Sequence, residues 1–126
     1  MRLTKILLVT SIAIFSGLVF ADDTAMLIDL DKQWGSAGGP DGFVSEDVIG
    51  IGIAGINGIA EVRQAAKIAS EEDYVVEGYQ VKFRSTDIAV MVHTTAGSDP
   101  HASMHVFQKQ DGKWLVVGDA AVPTAE

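Results

Sequence analysis

One stretch, residues 105–117, constrains the fold more than any other: His105-Val106-Phe107-Gln108-Lys109-Gln110-Asp111-Gly112-Lys113-Trp114-Leu115-Val116-Val117. Two alternating runs flank Asp111-Gly112, and Asp-Gly between such runs is a strong short-range signal for a β-hairpin. Gly112 and, less readily, Asp111 adopt the positive φ that a type I′ turn requires. A two-residue loop sets Lys109 opposite Trp114, Phe107 opposite Val116 and Val106 opposite Val117. The rest of the chain has to pair with this hairpin and cover its apolar side chains.

Upstream, residues 22–34 read as a helix. Met26, Leu27, Leu30 and Trp34 fall on one face, with Asp29, Asp31 and Lys32 turned outward. The run Gly35-Ser36-Ala37-Gly38-Gly39-Pro40-Asp41-Gly42 ends it, because consecutive glycines and a proline do not continue a helix. Val48, Ile49, Ile51 and Ile53 suggest a short strand weakened by Gly50 and Gly52, followed by a turn at Gly55-Ile56-Asn57-Gly58. Gly50-Ile51-Gly52-Ile53-Ala54-Gly55 also matches G-x-G-x-x-G, but dinucleotide binding needs a helix directly after it and a parallel sheet beyond. The sequence that follows is antiparallel in character, so the glycine-bearing strand is preferred.

Residues 59–70 form a second helix, apolar along Ile59, Val62, Ala66 and Ala69. Strands follow at 75–84, 88–95, 102–110 and 113–120, separated by Ser85-Thr86-Asp87, by Ala96-Gly97-Ser98-Asp99-Pro100 and by the Asp-Gly turn. Helix, short strand, helix and four antiparallel strands make an α+β domain with its helices on one face of a curved sheet.

Residues 1–21 read as a secretory signal peptide. Arg2 and Lys5 precede an apolar run from Ile6 to Phe20, and Val19 and Ala21 suit a cut before Asp22. The apolar run is shorter than the ~20 residues a spanning helix needs. The expected mature domain is therefore residues 22–126, secreted or periplasmic, with no membrane attachment after cleavage. It keeps seven basic residues against seventeen acidic ones, a net charge near −10. That balance argues against nucleic-acid partners. With no cysteine in the chain, one core must supply the stability.

Candidate site residues are few. His101 and His105 have the i, i+4 spacing that chelates on a helix, but on a strand about 13 Å separates them. A zinc ion holds each ligand at about 2 Å, so neither a metal nor a cofactor is expected. His93 and His105 lie on neighbouring strands and suit a pocket mouth or a sheet edge. Asp29, Asp31 and Asp47 can act as general base only if buried, and Asp119, near the end of the last strand, is placed to point inward. His93, His105, Asp47 and Asp119 are the catalytic candidates. Trp34, Tyr79, Met91, His93, His105, Phe107 and Trp114 are the expected pocket wall. Both faces of the last strands are apolar, with His105, Phe107, Trp114 and Val116 on one and Val106, Leu115 and Val117 on the other. An apolar outer face of that kind marks an interface, here a homodimer through the sheet.

Several segments together resemble the SnoaL-like branch of the nuclear transport factor 2-like superfamily. They are Leu30-Asp31-Lys32-Gln33-Trp34, Ser45-Glu46-Asp47-Val48, the Gly55-x-x-Gly58 step, Asp87-Ile88-Ala89-Val90-Met91 and the 106–117 hairpin. The resemblance covers residues 22–126 and is most specific at the hairpin. It implies a cone: a strongly curved antiparallel sheet wrapped around N-terminal helices, with a pocket at the open end and frequent dimerisation through the sheet. The fold hosts isomerases, cyclases and dehydratases as well as binding pockets, so it fixes no activity. A ketosteroid isomerase of this fold uses an aspartate base and a tyrosine in the oxyanion hole. Aligned on Glu46-Asp47, the base falls at Gly52, and the first helix holds no tyrosine. The expectation is therefore an exported domain that binds a small apolar or amphipathic molecule. An isomerase-, cyclase- or dehydratase-type enzyme and a sheet-mediated protein-interaction module are the alternatives.

Overall fold

A computed structural model describes residues 13–34, 42–69, 74–97 and 99–124. Of the expected leader it describes only the part from residue 13 onward, and the Gly-rich stretch 35–41 lies outside the described residues. The elements in chain order are α1 (Ala13–Lys32), β1 (Val44–Gly52), β2 (Gly55–Asn57), α2 (Ile59–Ala69), β3 (Tyr74–Phe83), β4 (Ile88–Gly97), β5 (His101–Gln110) and β6 (Lys113–Pro123). They build an α+β fold around one open, six-stranded sheet in the order β2-β1-β6-β5-β4-β3. All neighbours are antiparallel except β1 and β6, which run parallel.

The hairpin forms as its sequence dictates. Asp111 and Gly112 take φ of 51° and 76°, and Gln110 pairs with Lys113, Lys109 with Trp114 and Phe107 with Val116. The expected pairing of Val106 with Val117 does not occur. Val106 faces Gly118, because Val117 is an extra residue in β6. Such a bulge reverses the side-chain phase of a strand. Trp114 and Val116 point inward before it, and Asp119 and Ala121 take the inner positions after it. A second irregularity sets Gly78 and Tyr79 of β3 against His93 alone, with Gly78 at φ 67°. It keeps Tyr79 on the inner face and turns Val76 there as well.

One expectation is corrected near β1. The turn expected at residues 55–58 lies at Ile53-Ala54, and residues 55–57 form β2, so Gly50-x-Gly52-x-x-Gly55 spans a hairpin rather than a strand-to-helix step. Gly50 is required by packing: a Cβ there would lie 2.2 Å from Asn57 Oδ1 and 2.8 Å from the backbone oxygen of Asp119.

The inner face of the sheet carries the core, built from Leu27, Phe43, Val48, Val62, Ala89, Met91, Phe107, Trp114 and Val116. Helix α1 lies over it, but rotated from the expected face. Asp23, Leu27 and Asp31 are the buried positions at i, i+4 and i+8, while Met26 is half exposed. Lys109 Nζ reaches Asp23 Oδ2 at 3.3 Å and stands 4.9 Å from the centre of the Trp114 ring, fastening the start of α1 to the hairpin. Leu27 is fully buried, a contribution of about 1.5–3 kcal/mol from its side chain. Among the described residues no helix is long and apolar enough to cross a membrane.

Gly50→Ala is expected to destabilise the fold by about 1–3 kcal/mol, because the Asp119 backbone cannot yield without disturbing β6. Chemical denaturation measures this, and an unchanged midpoint would refute the packing role.

Candidate functional site

The inner face changes character along its strands. Near the hairpin it is apolar: Ala89 and Met91 on β4, Phe107 on β5, Trp114 and Val116 on β6. Towards the other end the same alternation brings His93 and Thr95, then Ser103 and His105, to the inner face, and all four are buried. The antiparallel register sets Met91 opposite His105 and His93 opposite Ser103. The bulge at Val117 completes the polar end by placing Asp119 directly opposite His105.

Asp31 descends from the last turn of α1 into this polar end and is 5 % exposed. His93 Nε2 lies 3.2 Å from Asp31 Oδ2, and His105 Nε2 lies 3.2 Å from Asp31 Oδ1. The Tyr79 hydroxyl donates to Asp31 Oδ2 at 2.7 Å. The two imidazoles stack with centroids 5.4 Å apart, and Trp34 lies 4.9 Å from the His105 ring. On its far side, His105 Nδ1 is 3.1 Å from Asp119 Oδ1, within ion-pair range but without a hydrogen bond in this arrangement. His93 Nδ1 has no hydrogen-bond partner among the described residues.

Burial pushes the Asp31 carboxyl up. The hydrogen bond from His93, the charges of His105 and His93, and the Tyr79 hydroxyl push it down and prevail, leaving it below the ordinary aspartate value. Asp31 is therefore a buried carboxylate held by several donors.

This cluster forms the floor of an open cavity of about 570 Å³. Trp34, Ile53, Val62, Ala65, Val76 and Val122 line it together with the polar Asn57, Thr95, Asp99, His101 and Ser103. Of the expected wall, Trp34, His93 and His105 line the cavity, and Tyr79 stands behind Asp31. Met91, Phe107 and Trp114 do not reach it. They belong to the apolar end of the same face, with exposures of 0 %, 0 % and 2 %. Asp47 lies outside the cavity on exposed β1, accepting a hydrogen bond from the Ser45 hydroxyl. Gly52 ends β1, so the acidic group of the site comes from α1 rather than from that position. His101 does not join His105, since its Nδ1 contacts the Asp99 carbonyl at 2.7 Å and Thr95 Oγ1 at 2.9 Å.

Asp31 was the residue least visible in the sequence, read as an outward position. The available signal was the Asp23-Leu27-Asp31-Trp34 spacing, a single helical face with carboxylates among its apolar members.

Solved structures share this architecture. A Nostoc punctiforme protein of unknown function with a cystatin-like fold superimposes with a TM-score of 0.68 at 15 % identity, over 84 % of this chain and 94 % of that one. A nuclear transport factor 2-like protein of unknown function from Shewanella baltica gives a TM-score of 0.68 at 11 % identity, over 86 % and 97 % of the two chains. A ketosteroid isomerase-like protein from Erwinia carotovora atroseptica gives 0.64 at 14 %, over 83 % and 94 %. The chain has the nuclear transport factor 2-like fold. No protein-family model and no curated protein matches the chain in sequence, so this likeness is one of fold. In this nuclear transport factor 2-like fold the cavity opens on the inner face of the sheet beside α1, with the Asp31 cluster at its base.

A carboxyl held below its unfolded value stabilises the fold above about pH 4, the ordinary aspartate range. That contribution is lost as pH falls through the lower folded value. The stability advantage of the wild type over Asp31→Asn is therefore expected to be present at pH 5 and to shrink below about pH 4. Denaturant unfolding of both proteins between pH 5 and 2.5 measures it, and a difference independent of pH over that range would contradict the assignment.

Proposed function

We propose that this chain is a ligand-binding domain whose cavity takes one small amphipathic molecule, polar end down. The observation that carries the reading is the buried Asp31–His93–His105 cluster in a cavity whose lining also includes the apolar Trp34, Ile53, Val62, Val76 and Val122. About 570 Å³ lies within the usual range for a small organic ligand. A wholly apolar occupant would strip water from Asp31 and Asp119 without replacing it, which is costly for buried charges. An amphipathic molecule with a neutral, hydrogen-bonding end fits both the floor and the walls.

A second reading is catalysis of the isomerase, cyclase or dehydratase kind, favoured by one observation. Asp31, His93, His105 and Asp119 form a continuous row of groups that take and give protons. Native mass spectrometry of the protein purified from its own host separates the two. One retained organic mass supports binding, and a bare chain contradicts it. Slow deuterium uptake at carbon in the retained molecule, abolished in Asp31→Asn, would favour catalysis.

The same spectrum reports export. Residues 1–21 are proposed to act as a leader to the periplasm or medium, which predicts a mature chain beginning at Asp22. The cut falls inside α1 and removes the Phe20 ring from its place 4.9 Å from Phe83.

Two copies are proposed to pair through the outer face of the sheet. Registered rows there are apolar across four strands: Ile49, Gly118, Val106 and Val90, then Ile51, Ala120, Met104 and Val92. Ile49, Ile51 and Met104 are 71 %, 62 % and 45 % exposed in the single chain. Light scattering at micromolar concentration is expected to give twice the chain mass, and Met104→Lys to shift it towards one chain. A single-chain mass for the wild type would refute the pairing.

A further inference from the structure

We propose that Asp31, His93 and His105 form a site for one divalent transition-metal ion at the cavity floor, with Tyr79 and Asp119 as its outer supports. The inference shares the cavity of the preceding section but requires no organic ligand.

Geometry is the first argument. One ligand atom from each of the three residues lies within 4.8 Å of the others, and all three residues are buried. Each Nε2 already stands 3.2 Å from a carboxylate oxygen. Around a tetrahedral ion that holds N and O ligands at about 2.0–2.1 Å, neighbouring ligand atoms are about 3.3 Å apart. The two contacts reach different oxygens, Oδ2 from His93 and Oδ1 from His105, so an ion between the rings takes both carboxylate oxygens or turns the carboxylate to present one, and the rings close towards it. Two histidines and one carboxylate on one side of an ion leave further positions open, and the open side here is the cavity.

The proton inventory of His105 is the second argument. Its Nε2 faces one carboxylate and its Nδ1 faces another, at 3.2 and 3.1 Å. A neutral ring carries a single N–H, so both carboxylates are met only by a second proton on the ring or by a cation on Nε2. An ion on Nε2 removes the conflict. The proton then sits on Nδ1, where Asp119 is placed to receive it, the carboxylate–histidine–metal arrangement that fixes the ring and raises its basicity. Tyr79 does the corresponding work for Asp31 by donating to Oδ2.

Charge is the third. Asp31 and Asp119 bring two carboxylates to a largely buried site, with side-chain exposures of 3 % and 14 %. The Lys109 and Arg63 cations are engaged elsewhere, with Asp23 and Glu46. A divalent ion matches that charge, and mixed imidazole and carboxylate ligands favour zinc, iron, cobalt or nickel over calcium or magnesium.

The test titrates Zn2+ and then Co2+ into the full chain after chelator treatment, read by calorimetry and by visible absorption. One equivalent is expected to bind, and Co2+ is expected to show the intensified visible d–d bands of a low-coordinate protein site in place of the weak ones of the aquo ion. His93→Ala and His105→Ala should abolish one-equivalent binding. Asp119→Asn should weaken it by about 10- to 100-fold, and Asp47→Asn, exposed on β1 outside the cavity, should leave it unchanged. No saturable binding, or equal binding in His105→Ala shown to be folded by circular dichroism, would overturn the site. Proton NMR of the wild-type Co2+ protein decides the matter even if the variants fail to fold, since the absence of hyperfine-shifted, exchangeable imidazole N–H resonances refutes it. Metal binding without a retained organic mass would sink only the organic-ligand reading, and a retained mass without metal binding would sink only this one.

Discussion

The contact on which the polar end of this structure depends is the meeting of the Asp31 carboxylate with His93, His105 and Tyr79. A lone carboxylate does not remain ionised inside a protein without several donors around it. Here the donors come from β4, β5 and β3, and the carboxylate from α1, so one interaction fixes where the helix lies on the sheet. The apolar half of the same face needs no such direction, because Leu27, Met91, Phe107 and Trp114 only have to fill space. The inner face thus divides into a packed end that supplies stability and a polar end that supplies chemistry.

Irregularities in the ladder make that division possible. Without the extra residue at Val117, the phase set by Trp114 and Val116 would turn Asp119 to the outer face. Without the break at Gly78, Val76 would leave the cavity wall. Gly50 matters for a related reason, since only a residue without a Cβ lets β1 approach the Asp119 backbone and Asn57 so closely. The glycines that mimic a nucleotide-binding fingerprint are thus used to pack β1 against the strand that carries Asp119.

Much of this was legible in the sequence. The Asp111-Gly112 hairpin, the strands on either side of it, both helices and the α+β class follow from turn chemistry and periodicity, and the fold resemblance follows from the same segments. His93 and His105 were placed on neighbouring strands that can share a face. Three things were not legible. The parallel pairing of β1 with β6 joins residues about seventy apart, and no local pattern announces it. The phase of β6 was hidden because Leu115, Val116, Val117 and Gly118 are all apolar or small, so nothing distinguishes inside from outside. Asp31 is hidden because charge in a sequence signals exposure, a rule that holds for most carboxylates and fails where donors are waiting. Assigning Met91, Phe107 and Trp114 to the pocket failed for a simpler reason: they share the inner face with the site but lie at its packed end.

The most direct measurement of the central claim is a long-range proton–nitrogen correlation spectrum of the three imidazole rings, in the wild type and in Asp31→Asn. If Asp31 organises the site, the ring nitrogens of His93 and His105 will shift together on substitution, while those of His101, held by Thr95 and Asp99, will stay in place. Unmoved signals from His93 and His105 would contradict the account at its root.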